Sequence, residues 1–127
     1  MPIVHVHLRA GRSSEQKRTV LDGVHRAFVE AFAIPEEDRN QVLHEHAPEH
    51  FQAKYGPDTV FVEASVILGR SADAKRKLYA LLVEYLAGAG VPRDAVLIVL
   101  HEAPVESWGM RGGRSAADVD LGFKVDV

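Results

Sequence analysis

Pro2 is the residue whose type and position point most directly to chemistry, because it follows Met1 directly. Methionine aminopeptidases remove Met1 readily before a residue as small as proline. We therefore expect the mature chain to begin with the secondary amine of Pro2. A free α-amine titrates near pH ~8, and partial burial or a nearby cation lowers that value because both disfavour the charged form. Such an amine can act as a general base, a general acid or a nucleophile.

Two other residues could complete a site around this amine. Arg70 directly precedes Ser71, the predicted N-cap of a helix, and a guanidinium beside a helix N-terminus binds carboxylates well. Asp38 could orient or polarise a substrate or a water molecule. The alternatives are an ordinary surface arginine and an ordinary turn aspartate, since aspartate favours turns.

The composition is that of a single globular domain spanning residues 1–127. A net charge of −3 and a pI near 6.1 give no general attraction to nucleic acid or to an anionic membrane. The absence of cysteine excludes disulfides, thiolate metal sites and a cysteine nucleophile. No signal peptide and no apolar run of ~20 residues is present, so we expect a cytoplasmic protein.

The elements that must position these residues follow from local patterns. Residues 2–8 read as a strand, and Ser13 with Gln16 fits a capping box that opens a helix ended by Pro35. Asn40 to His46 reads as a second strand, and residues 47–57 as a loop.

The same pattern then returns along the chain. Val60 to Ile67 is an apolar strand, and Gly69-Arg70-Ser71 repeats Gly11-Arg12-Ser13. Lys75-Arg76 repeats Lys17-Arg18, Pro92 repeats Pro35, and Leu100-His101-Glu102 repeats Leu43-His44-Glu45. These landmarks indicate duplicated β-α-β units at about 1–48 and 58–104, followed by a tail, 105–127, with a possible short strand at Phe123–Val127.

The duplication predicts an α+β fold, β-α-β-β-α-β, with one four-stranded sheet and both helices on one face. Each unit is a right-handed crossover with parallel strands, and a pseudo-twofold axis makes the two first strands antiparallel neighbours. That arrangement brings Pro2 near Arg70 and Asp38 near Pro2, whereas Val60, the counterpart of Pro2, has no free amine. The bare face of the sheet needs cover, which favours an oligomer.

The chain resembles the tautomerase superfamily. Pro2, the first strand and Gly11-Arg12-Ser13-Ser14-Glu15-Gln16-Lys17 resemble the opening of a 4-oxalocrotonate tautomerase unit. The duplicated length, with the segments 21–25, 35–41 and 69–71, Ser107-Trp108 and 111–114, is similar to the fused-unit branch that includes malonate semialdehyde decarboxylase.

The resemblance implies a cofactor-free homotrimer with Pro2 as the catalytic amine, Asp38 as the catalytic aspartate and Arg70 as the carboxylate ligand. His25 matches a histidine of dehalogenase relatives. The decarboxylase and the cis-3-chloroacrylic acid dehalogenase carry a second arginine just upstream of the position of Arg70, where this chain has Ile67 and Leu68. Arg9, or Arg39 of another subunit, is the expected substitute for it.

Other signals have simpler readings. The pairs His5/His7 and His44/His46 could bind metal on a strand face, but they lack a clear third ligand, so we predict no metal site. His25 and Trp108 are candidate substrate-binding residues; their alternatives are a core histidine and an interface anchor. The single Arg111-Gly112-Gly113-Arg114 reads as a turn.

The resemblance, together with these patterns, implies an enzyme that interconverts enol and keto forms of 2-oxo acids, with a small carboxylic acid as substrate. Decarboxylation, hydration or dehalogenation of a small 3-oxo or unsaturated acid is the alternative reaction. A non-catalytic oligomeric binding module is the alternative outside enzymes.

Overall fold

The first half of the chain folds as a β-α-β unit in the computed structural model, which describes residues 1–127. Strand β1 spans Ile3–Arg9, helix α1 spans Ser14–Phe32 and strand β2 spans Gln41–His46. Both strands begin one residue later than predicted. The predicted capping box is present, since Ser13 Oγ accepts from the Gln16 N–H at 3.1 Å and Gln16 Oε1 accepts from the Ser13 N–H at 2.8 Å.

The end of helix α1 positions the segment that leads to β2. Ala33 adopts a left-handed conformation, with φ at 53°, and Pro35 follows two residues later. A residue in that conformation commonly closes a helix, and a proline cannot extend it because it has no backbone N–H. The chain therefore leaves α1 here and turns back toward the start of β1.

The second half repeats the unit, as predicted. Strand β3 spans Val60–Ile67, helix α2 spans Ala72–Gly88 and strand β4 spans Val96–Ala103. Ser71 is the N-cap of α2, and its Oγ accepts from the Ala74 N–H at 3.0 Å. The two halves thus begin their helices with the same serine cap.

The four strands form one sheet in the order β2-β1-β3-β4. Strands β1 and β2 are parallel, β3 and β4 are parallel, and the central pair β1–β3 is antiparallel. In that central pair Ile3 lies opposite Ser65, so one residue further along the same register Pro2 falls opposite Val66. Pro2 therefore lies at the end of β3 that leads into Arg70.

Both helices pack on one face of the sheet, where alternate residues of the strands point inward. The core combines Phe28 and Phe32 of α1 with Leu78, Leu82 and Leu86 of α2 over the inward positions of the strands. The opposite face carries no helix and leaves apolar side chains open, with Leu97 60% exposed and Val42 46% exposed. The predicted bare sheet face is therefore present.

The tail begins with a short hairpin. Strand β5 (Gly109–Met110) pairs antiparallel with β6 (Arg114–Ser115), and the turn between them is the predicted Arg-Gly-Gly-Arg turn. Arg111, Gly112 and Gly113 all have positive φ values, 47°, 78° and 95°. The two glycines adopt this conformation at low steric cost, whereas Arg111 is strained there.

The prediction of a short strand at Phe123–Val127 is wrong. These residues pair with no strand; instead, the Ser71 N–H donates to the Val127 carbonyl at 2.9 Å. Val125 packs against Gly69, where an added Cβ would lie 2.9 Å from Val125 Cγ1. The tail is therefore held by the backbone N–H of the α2 N-cap, which has no partner within the helix, rather than by pairing at a sheet edge. Neither helix is long and apolar enough to cross a membrane.

Candidate active site

The amino terminus of the chain lies against a carboxylate. The amino group of Met1 forms an ion pair with Asp38 Oδ2, and Pro2 is buried at the start of β1. Asp38 is held by the turn that follows α1, where its N–H donates to the Pro35 carbonyl at 3.1 Å. The predicted proximity of the first residues to Asp38 is thus seen in the geometry.

An amide joins these two groups. Asn40 Nδ2 donates to the Pro2 carbonyl and to Asp38 Oδ1, at 3.2 Å in each case. The Asn40 carbonyl accepts from the Val4 N–H at 2.9 Å, which starts the pairing of β1 with β2. Sequence reasoning missed Asn40, although its position two residues after Asp38 is a spacing at which neighbouring polar side chains can meet.

Arg70 is a buried cation with unused donors. Only 5% of the residue is exposed, and Nη1 donates to the Ile67 carbonyl at 3.1 Å, whereas Nε and Nη2 are buried without a partner. Burial lowers the pKa of Arg70, while the charges of Asp38 and Glu102 raise it, and a guanidinium stays protonated at neutral pH. Two unpaired buried nitrogens on a cation are suited to bind an anion.

A cavity of about 360 Å³ opens at the amino terminus. It is lined by Met1, Pro35, Glu37, Asp38, Met110, Arg111, Leu121 and Phe123. Phe123 connects this cavity to Arg70, because its ring centroid lies 5.9 Å from the Arg70 guanidinium carbon. The cavity therefore combines a charged end at Met1 and Asp38 with an apolar wall from the tail, which suits a small organic acid.

Arg111 is the cation of the cavity wall that sequence reasoning missed. It is exposed, and it forms no ion pair within the chain. Arg39, one expected substitute for a second arginine, is bonded within its own subunit to Asp22 Oδ1 at 2.7 Å. Arg9, the other, lies at the far end of β1 from Pro2. The only sequence signal at Arg111 is the predicted Arg-Gly-Gly-Arg turn that contains it.

His25 and Trp108 lie outside the lining of this cavity. His25 is buried on α1, and its Nε2 is 2.8 Å from the Glu36 carbonyl oxygen and 3.5 Å from the Glu36 carboxylate. Trp108 precedes β5, and its Nε1 is buried without a partner. The roles of both residues in binding substrate stay predictions.

The pseudo-equivalent site, made from Val60 and Ala95 of the second half and Arg12 of the first, is built differently. Arg12, which corresponds to Arg70, donates from Nη2 to the Asp58 carbonyl at 2.8 Å. Ala95 corresponds to Asp38 by the same 57-residue offset that relates Gln41 of β2 to Ile98 of β4. The second half therefore has neither the free amine nor the carboxylate.

The histidine pairs meet on the open face of the sheet. His5 Nδ1 lies 2.8 Å from His44 Nε2, and His7 Nδ1 lies 3.0 Å from His46 Nε2. Partial burial is the largest effect that lowers the pKa of His44. The charges of His7, His5 and His46 lower it further. His7 and His46 border a second cavity of about 590 Å³ that is also lined by Phe51, Phe61 and Leu97. No group of three or more potential ligands is arranged to hold a metal ion.

Comparisons with known proteins agree with this architecture. A family model described as a tautomerase enzyme matches residues 2–55, and a second with the same description matches residues 38–111. The probable tautomerase YusQ of Bacillus subtilis (strain 168) is 25% identical over 123 residues, which cover 91% of this chain and 97% of that protein.

Two solved structures are similar over most of their length. FG41 malonate semialdehyde decarboxylase, inhibited by 3-bromopropiolate, is 33% identical, with a TM-score of 0.80 over 86% of this chain and 88% of the other. The asymmetric trimer R7 fused 4-OT is 28% identical, with a TM-score of 0.81 over 91% and 96%. The duplicated fold is that of the fused-unit proteins. The chain belongs to the tautomerase family.

Proposed function

We propose that the protein is a cofactor-free enzyme in which Pro2, after removal of Met1, moves a proton between the enol and keto forms of a 2-oxo acid. The observation that carries this proposal is the ion pair of Asp38 with the amino group of Met1, one residue before Pro2, at a cavity that both Met1 and Asp38 line. An amine placed there faces a space that can hold a substrate, with a carboxylate at its side.

Arg70 would hold the carboxylate of the substrate. Its unpaired Nε and Nη2 match the two oxygens of a carboxylate, and its rigid surroundings keep them in place. Arg70 does not itself line the cavity, whereas Phe123 does and has its ring centroid 5.9 Å from the Arg70 guanidinium carbon, so binding would require side chains at this contact to shift.

The proton transfer needs no other reactant. The Pro2 amine takes the proton of the enol O–H and returns a proton to the neighbouring carbon, so that the C=C double bond becomes single and the C–O bond becomes a carbonyl. Asp38 stabilises the ammonium that forms between the two steps. His25 and Trp108 stay candidate substrate-binding residues of this proposal, although neither lines the cavity.

The decisive experiment compares the wild type with Pro2→Ala on phenylenolpyruvate, followed by ultraviolet absorbance. The substituted chain keeps a terminal amine but changes its basicity and geometry, so we expect kcat to fall at least about 100-fold, the lower end for general-base catalysis, while the fold persists. N-terminal sequencing must show Pro2 as the first residue of the wild type. A Pro2→Ala variant with wild-type kcat, or an active enzyme that retains Met1, would refute the mechanism.

Decarboxylation of malonate semialdehyde is a second candidate, favoured by the 33% identity to a malonate semialdehyde decarboxylase. The same amine and arginine would serve that reaction. The apolar Ile67 and Leu68 beside Arg70 favour tautomerisation instead, because a second fixed cation would help to stabilise the charge that develops when the C–C bond breaks.

We further propose that the bare sheet face is covered by copies of the same chain in a homotrimer. The exposed Leu97 and Val42 lie on that face, and the similar fused 4-OT structure is a trimer. The proposal includes no nucleic-acid or membrane partner.

A further inference from the structure

Asn40 holds the two ends of the candidate site with one side chain. A primary amide carries two N–H donors in a fixed plane, and Asn40 directs one to the Pro2 carbonyl and the other to Asp38 Oδ1, both at 3.2 Å. No other side chain of the protein bonds to both residues. The residue that carries the amine and the carboxylate that faces it are thus tied to a common point.

The hydrogen bond from Asn40 to the Pro2 carbonyl matters because a chain terminus is otherwise free to fray. The pairing of β1 with β2 begins with the Val4 N–H, which donates to the Asn40 carbonyl, and the pairing with β3 begins at Ile3, so both stop short of residue 2. The Pro2 carbonyl is one Cα away from the ring nitrogen. Fixing that carbonyl therefore restricts the direction in which the amine points once Met1 is gone.

The tie to Asp38 leaves one oxygen for the amine. Asp38 Oδ1 accepts from Asn40, while Oδ2 pairs with the amino group of Met1, the residue whose removal would leave Pro2 as the terminus. Without the amide, rotation about the Asp38 side chain would no longer be opposed on the Oδ1 side. The carboxylate would then spend less time beside the amine.

The fold does not depend on this side chain. Asn40 is exposed, and its contribution to the sheet comes from its backbone carbonyl, which any residue supplies. A change of the side chain therefore removes the tie without opening a cavity in the core.

We propose that Asn40 is a positioning residue that sets the orientation of the Pro2 amine relative to the Asp38 carboxylate. This inference rests on the proposed function and identifies the side chain that orients the catalytic amine. Asn40 itself touches neither the reacting proton nor the substrate.

The test compares Asn40→Ala with Gln41→Ala. Gln41 is the matched control because it is the adjacent amide and bonds to the Leu21 carbonyl at 2.8 Å and to Arg39, but to neither Pro2 nor Asp38. We expect Asn40→Ala to lower kcat on phenylenolpyruvate about tenfold or more, since small misplacements of a catalytic group are costly. KM should change less than about twofold and Tm should stay at the wild-type value. Gln41→Ala should keep the wild-type kcat even where its Tm falls.

A second readout separates positioning from folding. The amine is labelled with 3-bromopropiolate, and the labelled N-terminal peptide is measured by mass spectrometry as a function of pH. In Asn40→Ala the midpoint should move to lower pH, because the protonated amine loses part of its stabilisation by Asp38. Asn40→Asp keeps the shape of the side chain but replaces its N–H donors with a carboxylate that repels Asp38, and it should also lose kcat.

Each outcome has a distinct meaning. Wild-type kcat and an unmoved labelling midpoint in both Asn40 variants, together with an inactive Pro2→Ala, would overturn the positioning role alone. A fall in kcat that only parallels a fall in Tm would also overturn it. A fully active Pro2→Ala would instead overturn the proposed function, and the labelling profile would still report whether Asn40 orients the pair.

Discussion

The guanidinium carbon of Arg70 lies 4.8 Å from the centroid of the Phe32 ring, so the candidate anion-binding group rests on the last turn of α1. Phe32 is fully buried and belongs to the hydrophobic core. The stacking keeps the guanidinium plane fixed, and a cation over an aromatic face is attracted by the ring. The group that would bind substrate is thereby positioned by the core that folds the protein.

The first prediction concerns that guanidinium. Arg70→Ala should lower kcat/KM on an enol acid about 10- to 100-fold, because a charged hydrogen bond contributes about 1.5–3 kcal/mol. Steady-state kinetics with phenylenolpyruvate measure the change. Arg12→Ala is the control, since Arg12 holds the corresponding position in the first half and bonds only to the Asp58 carbonyl. Equal losses in the two variants would remove Arg70 from the site.

The second prediction concerns Arg111. Arg111→Ala should raise KM for an enol acid with a second carboxylate more than for phenylenolpyruvate, because a cation in the cavity wall can face the distal charge. Arg114→Ala, from the same hairpin but outside the cavity lining, should change neither value. Identical KM values for wild type and Arg111→Ala on both substrates would contradict this role.

The third prediction ranks the reactions. We expect a higher kcat/KM for tautomerisation of phenylenolpyruvate than for decarboxylation of malonate semialdehyde, because Arg70 has apolar neighbours upstream. Leu68→Arg should raise the decarboxylase rate, since Leu68 is 56% exposed and can accept a long polar side chain. Ile67 is fully buried and offers no such position. A wild-type enzyme that prefers the semialdehyde would reverse the ranking.

The fourth prediction concerns assembly. Light scattering at micromolar concentration should give three times the 14.0 kDa of one chain. Leu97→Glu should shift the mass to that of a single chain, because it places a charge on the exposed apolar part of the open sheet face. Tyr55→Glu, an exposed residue of the loop before β3, is the control. A wild-type mass of 14.0 kDa would contradict the trimer.

The fifth prediction follows from the histidine pairs. The pKa of His44 is lower in the folded chain than in the unfolded chain, so protons bind preferentially to the unfolded chain. Stability is therefore fully present above the unfolded pKa of about 6.5 and is lost as the pH falls through and below it. Thermal unfolding between about pH 8 and pH 5 should show this loss, and His44→Gln should reduce it. His50→Gln, outside the paired histidines, should keep the wild-type slope.

Much of the fold could be predicted because the duplication repeats the same sequence signals in both halves. Ser13 and Ser71 each cap a helix, and the alternation in β1 and β3 fixes which face is buried. The parallel pairing within each half followed from the β-α-β crossover, and the antiparallel central pair followed from the pseudo-twofold axis of the duplication. The tail had no repeat to support it, and Phe123–Val127 reads as a strand only because its apolar residues alternate; its actual partner is the backbone at the start of α2.

The site was predictable where it depends on topology and unpredictable where it depends on side-chain direction. Antiparallel β1 and β3 place Pro2 near Arg70 for any sequence with this fold, and the crossover returns Asp38 to the same end. The direction of Arg39 toward Asp22, and of Arg111 toward the cavity, depends on local turns that leave no periodic pattern. Those two arginines are accordingly the ones whose places were not foreseen.

The bond between Arg12 and the Asp58 carbonyl has a consequence for how the protein can tolerate change. At the pseudo-equivalent site, where Val60 has no free amine, Arg12 is bonded to the chain itself, and Ala95 stands where the first half has Asp38. The two halves share the same fold, but they are not subject to the same functional requirement. Variation around residues 9–12 is limited by folding alone, whereas variation around residues 67–70 must satisfy folding and chemistry together.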